Sequence, residues 1–252
     1  MSLLLLPNNV WHDAAQIKVT DLSDVETTDS AGLESVIGGP RSIYWTSGTT
    51  DARRIALVNK SGTLSCSHIV LARADWHLTK NLSLISWSNY SSTSTTEYST
   101  ASFAESLIGP REQDWVYPLE LSSKQAIGLS CNSTGYTKLV NKFFVSNAIT
   151  LEHHTAPSFQ MLPFPSRHQH LRQQYLVDRV WNISVEKLTK AEVDTIEAIP
   201  NLLSEPLFIY DADGTSIHHK LIFGIISDHQ VTAAFNDLYQ ISLTVRELRQ
   251  WP

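Results

Sequence analysis

Cysteine is nearly missing from this chain. Cys66 and Cys131 are the two present in 252 residues. They lie far apart and outside any C-x-x-C spacing, so neither a zinc site nor a disulfide framework is signalled, and two buried free thiols are expected. An excess of basic charge is missing too. Lys and Arg number 19 against 25 Asp and Glu, for a net charge of -6. The basic residues are scattered, with no stripe that could neutralise a row of phosphates, which argues against sequence-specific nucleic-acid binding. Long apolar runs are absent. The opening "MSLLLLP" has an apolar patch but no basic flank, and it is too short for a secretory signal or a bilayer span, so no membrane insertion and synthesis into the cytosol are expected.

Catalytic signatures are also lacking. There is no G-x-S-x-G elbow, no phosphate loop, no G-x-G-x-x-G after a strand and no H-E-x-x-H. His168 and His170 could face one side of an extended segment, but no carboxylate or thiolate accompanies them at ligand spacing. "DADG" (211–214) is like the start of a calcium loop, yet Ile222 stands where the bidentate Glu belongs, so a tight turn with positive φ at Gly214 is the better reading. Asp211 and Asp213 as a glycosidase pair would need a cleft that a hairpin tip does not supply. No enzyme, no metal and no cofactor are therefore expected.

What the chain does contain falls into two textures. Residues 1–152 are rich in Ser, Thr and Asn, with strand-sized apolar runs at 42–46, 54–59, 67–74, 82–87, 115–121, 126–131 and 138–145. "SGTT", "NKSGT" and "NSTG" are turn-formers between them. That rhythm predicts a β-sandwich. The run 88–100, "SNYSSTSTTEYST", reads as a long exposed loop, and 100–109 as the one stretch with helical periodicity in this half. Trp45 and Trp87 sit inside strand-like runs and should pack inward. Trp76, Tyr90 and Tyr98 are the candidate carbohydrate or partner contacts, Tyr90 and Tyr98 because they fall in the polar loop. Residues 153–174 hold three prolines close together and read as a linker or connecting strand.

Residues 175–252 carry sharper instructions. "DRVWNISVEKL" (178–188) alternates as a half-buried strand. Thr189 then stands three residues before Glu192 as a capping box, and Leu188 with Val193 forms a hydrophobic staple. Val193, Ile196 and Ile199 make an apolar stripe, and Pro200 ends the helix. "PLFIY", "SIHHKLIFGIIS" and "LYQISLTVREL" follow as strands. One helix cannot cover both faces of such a sheet, so an edge or a face must meet a second sheet or another copy.

The order "VWNISVEKLTKAEVDTIEAIPNLLSEPLFIYDADG", "KLIFGIIS", "LYQISLTVREL" resembles the tail-tube-like domain of bacteriophage distal tail and minor tail proteins. "LLLLPNNVWHDA", "YWTSGTTDARRIALVN" and "SHIVLARADWHLTKNLSLISW" are similar to the galactose-binding-like jelly roll found in the same proteins, although Trp76 stands where that family has a small or polar residue. The resemblance implies a mainly β protein. It has a galactose-binding-like jelly-roll sandwich at 1–152 and a tail-tube-like β-barrel or sandwich with one α-helix at 175–252. It further implies a virion structural protein at the tail tip, assembled in the host cytoplasm. Copies would form a ring, commonly a hexamer, joining the tail tube to hub and fibre proteins, with a host-surface glycan as a further partner of the jelly roll. Asp194, Glu197, Asp211 and Asp213 would then be candidate lumen-facing acids that keep passing DNA from being gripped. A stand-alone carbohydrate-binding module is the alternative, and a jelly-roll esterase or glycosidase with cryptic residues the third reading.

Overall fold

The computed structural model describes residues 2–7, 16–23, 36, 45–72, 82–92, 94–99, 115–132, 134–135, 137, 139–152, 158–163, 177–199, 201–203, 205–211 and 221–248. The fold is mainly β with several antiparallel sheets and one helix among the described residues, as the sequence predicts. It divides into two compact units: Asn8–Ala148 with the last three residues, and Met1–Pro7 with Ile149–Arg249.

The first unit is a sandwich. Its larger sheet has five strands, in the order β2 (Gln16–Thr20), β4 (Arg53–Val58), β9 (Ala126–Cys131), β6 (Leu82–Trp87) and β7 (Thr95–Ser99). A three-stranded sheet sets β11 (Lys142–Ser146), β5 (Leu64–Ala72) and β8 (Trp115–Lys124) side by side. β3 (Trp45–Thr46) pairs with β10 (Leu139–Val140). Alternate residues of the two larger sheets meet in one core: Ile55, Leu57, Leu84, Ile127 and Leu129 from one, Ile69, Leu71, Leu119, Phe143 and Val145 from the other. Trp45 joins them, and Trp87 is buried on the opposite face of the five-stranded sheet with Ala56, Val58, Ile85 and Ala126. Both cysteines are buried free thiols.

The segment expected as a loop over 88–100 instead contains β7, paired antiparallel with β6. Apolar alternation is missing because β7 is an edge strand whose polar side chains are used directly: Ser86 Oγ donates to Glu97 Oε1 at 2.5 Å, and Lys124 Nζ lies 3.6 Å from the same oxygen. The helix expected at 100–109 lies outside the described residues.

The second unit is a seven-stranded sheet in the order β12 (Ile149–Glu152), β1 (Ser2–Pro7), β15 (Leu207–Asp211), β16 (Leu221–Ala233), β17 (Tyr239–Glu247), β14 (Val177–Leu188), β13 (Ser158–Pro163). The domain boundaries drawn from sequence therefore shift. "SLLLLP" belongs to this sheet and not to the sandwich, since Leu3–Pro7 pair with Asp211–Leu207 on one side and Ser2–Leu5 with Glu152–Ile149 on the other. Its four leucines are buried because strands flank it on both sides and residues pack on both faces. The sandwich is thus inserted between two strands that pair with each other, β1 and β12. Within 153–174 the described part is β13, a strand paired with β14, and Pro163 sits at its end, where a missing N–H breaks no ladder.

The helix α1 (Lys190–Glu197) begins as the sequence predicts. Thr189 Oγ1 accepts from the Glu192 amide and Glu192 Oε2 accepts from the Thr189 amide at 2.6 Å, a complete capping box. Val193 and Ile196 face the sheet, where Leu3, Leu5, Leu151, Trp181, Ile183, Val185, Ile241, Leu243 and Val245 form the core. β12 comes back against β14, so β15, β1 and β12 make a second layer with α1 over the core face of β14 and β17. Thr189→Ala is expected to cost about 1 kcal/mol of this unit's stability, because two amides at the helix start lose their partner arrangement; urea unfolding followed by circular dichroism measures it.

Candidate functional site

β14, β17 and β16 send alternate side chains to two different worlds. Trp181, Ile183, Val185, Ile241, Leu243 and Val245 are buried, while Asn182, Glu186, Ser242 and Arg246 are exposed, and Ser184, Gln240 and Thr244 half-buried. The register aligns the second set: Asn182 is opposite Thr244, Ser184 opposite Ser242, and on the other side Thr244 is opposite Asp228, Ser242 opposite Gln230 and Gln240 opposite Thr232. A bulge between Ile226 and Asp228 brings Asp228, Gln230 and Thr232 onto this face. The result is a sheet face of hydroxyls and amides, bonded across strands where Gln240 Nε2 donates to Ser184 Oγ at 2.8 Å. Its acidic groups, Glu186 and Asp228, are balanced in part by Arg246. Alternation in sequence marks this face; the bulge that completes it leaves no local signature.

The borders of the same sheet carry the second feature. β13, β14, β17 and β16 form four successive antiparallel neighbours. β15 pairs with β16 only over Leu221–Gly224, so on that side Ile225–Ala233 has no strand partner among the described residues. β13 ends the sheet on the opposite side, with no further strand beyond it among the described residues. An unpaired strand border is a template for another strand.

The acids proposed from sequence do not gather on this face. Asp194 and Glu197 are on α1, which packs on the core side of the sheet; Asp194 pairs with Lys190 one turn earlier, and Glu197 Oε1 lies 3.5 Å from His229 Nε2. The Lys190 pKa is raised, chiefly by its bond to Asp194. Asp211 ends β15, opposite Leu3. Asp213 lies outside the described residues.

In the sandwich, Tyr90 sits in the turn after β6, half-buried, with its ring edge-on to Trp87 at 5.3 Å between centroids. Lys18 Nζ stands 5.9 Å from the Tyr90 ring centroid, a cation–π contact. The Tyr90 amide donates to Gln125 Oε1 at 2.7 Å, which fixes the turn. Tyr98 is on β7 opposite Leu84, away from the loop expected for it. Trp76 lies outside the described residues.

Groups with reactive potential are occupied otherwise. Burial pushes the Cys66 thiol up from 9.0 to about 11, with the Glu97 charge adding and a backbone bond at Leu121 opposing. A group whose pKa is higher in the folded chain holds its proton more tightly there, so stability declines as pH rises across that interval. The sandwich should therefore lose stability between about pH 9 and about pH 11, and Cys66→Ala should flatten that loss in pH-dependent thermal melts. Burial lowers the His68 ring, against the pull of Glu120. Ser67 Oγ lies 3.0 Å from His68 Nδ1 but also accepts the Ala148 amide at 2.9 Å, which ties it to the segment just after β11. Among the described residues no three His, Cys, Asp or Glu side chains gather as a metal site, and no helix is long and apolar enough to cross a membrane.

No protein-family model matches this chain, and no curated protein matches it. Among solved structures it is similar to a GH29 fucosidase of Ruminococcus gnavus, at 12% identity and a TM-score of 0.39, over 56% of this chain and 26% of that one. It is also similar to chitosan-binding module 1 from a chitosanase/glucanase of Paenibacillus sp. IK-5, at 13% identity and a TM-score of 0.39, over 53% of this chain and 94% of the module. The third is CBM32-6 of CpGH89 from Clostridium perfringens, at 12% identity and a TM-score of 0.39, over 56% of this chain and 98% of that one. A likeness of this size says nothing about what this chain binds.

Proposed function

We propose that this chain is a non-enzymatic assembly protein whose seven-stranded unit joins identical copies into a ring and whose inserted sandwich is a docking module, as in the tip of a bacteriophage tail. One observation carries the reading: the wall β13-β14-β17-β16 alternates in direction, and among the described residues the outer sides of β13 and of Ile225–Ala233 on β16 have no strand partner. Four strands is an even number. The first and last therefore run oppositely, so β16 of one copy can meet β13 of the next antiparallel, with the same contact repeated head to tail. Such a heterologous contact closes into a ring when the rotation allows it. In a hexamer the wall would hold about 24 strands at about 4.8 Å spacing, a circle about 37 Å across.

Only the polar face can then turn inward. The core side already carries α1 and the layer β15-β1-β12, which would fill a lumen of that size. The hydroxyl and amide groups of Asn182, Ser184, Gln240, Ser242 and Thr244 would line the passage, with Asp194 and Glu197 behind the wall. A near-neutral lining offers a passing polyanion no cationic grip. The tail tube, the hub and the fibres are the partners this reading implies, with the virion tail tip as location. Light scattering across a concentration series, with negative-stain images, tests it: closed rings are expected, and a monomer at every concentration overturns it.

Carbohydrate binding by the sandwich is the second reading. It is favoured by the Tyr90, Trp87 and Lys18 cluster, since an aromatic ring backed by a fixed turn is the group that stacks on a sugar face. A glycan array with the full chain tests it, and Tyr90→Ala should abolish any signal the wild type gives.

A further inference from the structure

Among the described residues, large apolar side chains are exposed at Leu22, Leu203 and Phe235, by 39%, 49% and 84%. Scattered apolar exposure is ordinary. The placement of the last two is not scattered. Phe235 follows Ala233, where the unpaired border of β16 ends, and Leu203 lies just before Leu207, whose partner Gly224 immediately precedes the start of that border. Among the described residues, the two exposed large apolar side chains of this unit thus stand in the turns next to the two ends of Ile225–Ala233, a stretch about 30 Å long at strand rise.

The Phe235 turn is also held in one shape. The Ala234 amide donates to the Leu238 carbonyl at 2.7 Å, and Asn236 and Asp237 both take left-handed conformations, φ 60° and 56°. Asn and Asp tolerate that region better than other side chains do, so the turn is specified by its own residues. Among the described residues the ring is not part of the core, which reaches into this hairpin only as far as Val231 and Tyr239, while Thr232, Ala233 and Ala234 are exposed. A bulky aromatic on a pre-formed turn loses little freedom when covered, which is the property of an interface anchor.

We propose that Phe235 is an anchor buried by a second copy of this chain when copies associate along the β16 border. The inference rests on the assembly reading and adds to it the residue that contributes most to the contact. A strand seated on Ile225–Ala233 brings its own chain alongside the tip, so the covering surface belongs to the same copy that pairs the border.

Sedimentation equilibrium of the full-length chain tests this with Phe235→Ser and Phe235→Leu. Because the side chain is 84% exposed, both variants are expected to keep the wild-type circular dichroism and Tm. Phe235→Ser should weaken self-association at least tenfold, and Phe235→Leu should restore most of it. Association of Phe235→Ser as tight as wild type overturns the anchor while leaving the ring standing. A wild type that stays monomeric throughout removes the assembly reading itself, and the anchor with it.

Discussion

Trp181→Ala is expected to destabilise the seven-stranded unit by about 3–5 kcal/mol, a large share of the about 5–15 kcal/mol that holds a unit of ordinary stability folded. Trp181 is fully buried on β14, in register with Val245 of β17 and with position 159 of β13, in one core with Leu3, Leu5, Leu151 and Val245. Replacing an indole by a methyl leaves a void that strands held in a ladder on both sides cannot collapse to fill. Its Nε1 also donates to Glu247 Oε2 at 3.0 Å, so Trp181→Phe, which keeps most of the ring and loses the donor, separates the two contributions. Denaturant unfolding should show two transitions in the wild type, because the sandwich core and the sheet core share no residue. Trp181→Ala should move only one of them. Equal movement of both would mean the units unfold as one.

Gly128→Ala is expected to do the reverse, lowering the sandwich transition by about 1–3 kcal/mol while the other stays. A Cβ at Gly128 would sit 2.7 Å from the Ile55 carbonyl oxygen and 2.9 Å and 3.0 Å from two carbons of the Trp87 ring. The carbonyl belongs to the adjacent strand, next to Ala56, which is paired with Gly128, so it moves only if the β4–β9 ladder opens. The ring can be trimmed. Trp87→Phe in the Gly128→Ala background should therefore recover only part of the loss, and full recovery would show that the backbone contact costs nothing.

Legibility followed the range of the interactions. The capping box was readable because Thr189 and Glu192 satisfy each other within one turn, without help from the rest of the chain. β6 and β9 were readable from their apolar runs, and Trp45 and Trp87 from lying inside such runs. β7 was not, since a strand at a sheet edge needs no apolar face and Ser86, Glu97 and Lys124 hold it by polar contacts that are distant in sequence. Tyr98 was misplaced with it. The helix that carries Asp194 and Glu197 was readable, but not which side of the sheet it covers, since that depends on strands distant in sequence.

By itself the sequence determined that this chain is mainly β with a strongly marked helix, that its cysteines are buried thiols, and where most strands lie, because propensity, alternation and capping act over a few residues. Only the tertiary structure decided that "SLLLLP" pairs within the seven-stranded sheet, that the sandwich is inserted in the chain between β1 and β12, which pair, and that the polar face and the borders unpaired among the described residues belong to one sheet. Those are matters of which strand meets which. Any apolar strand can satisfy its backbone beside many others, and the choice among them rests on side chains brought together from distant parts of the chain.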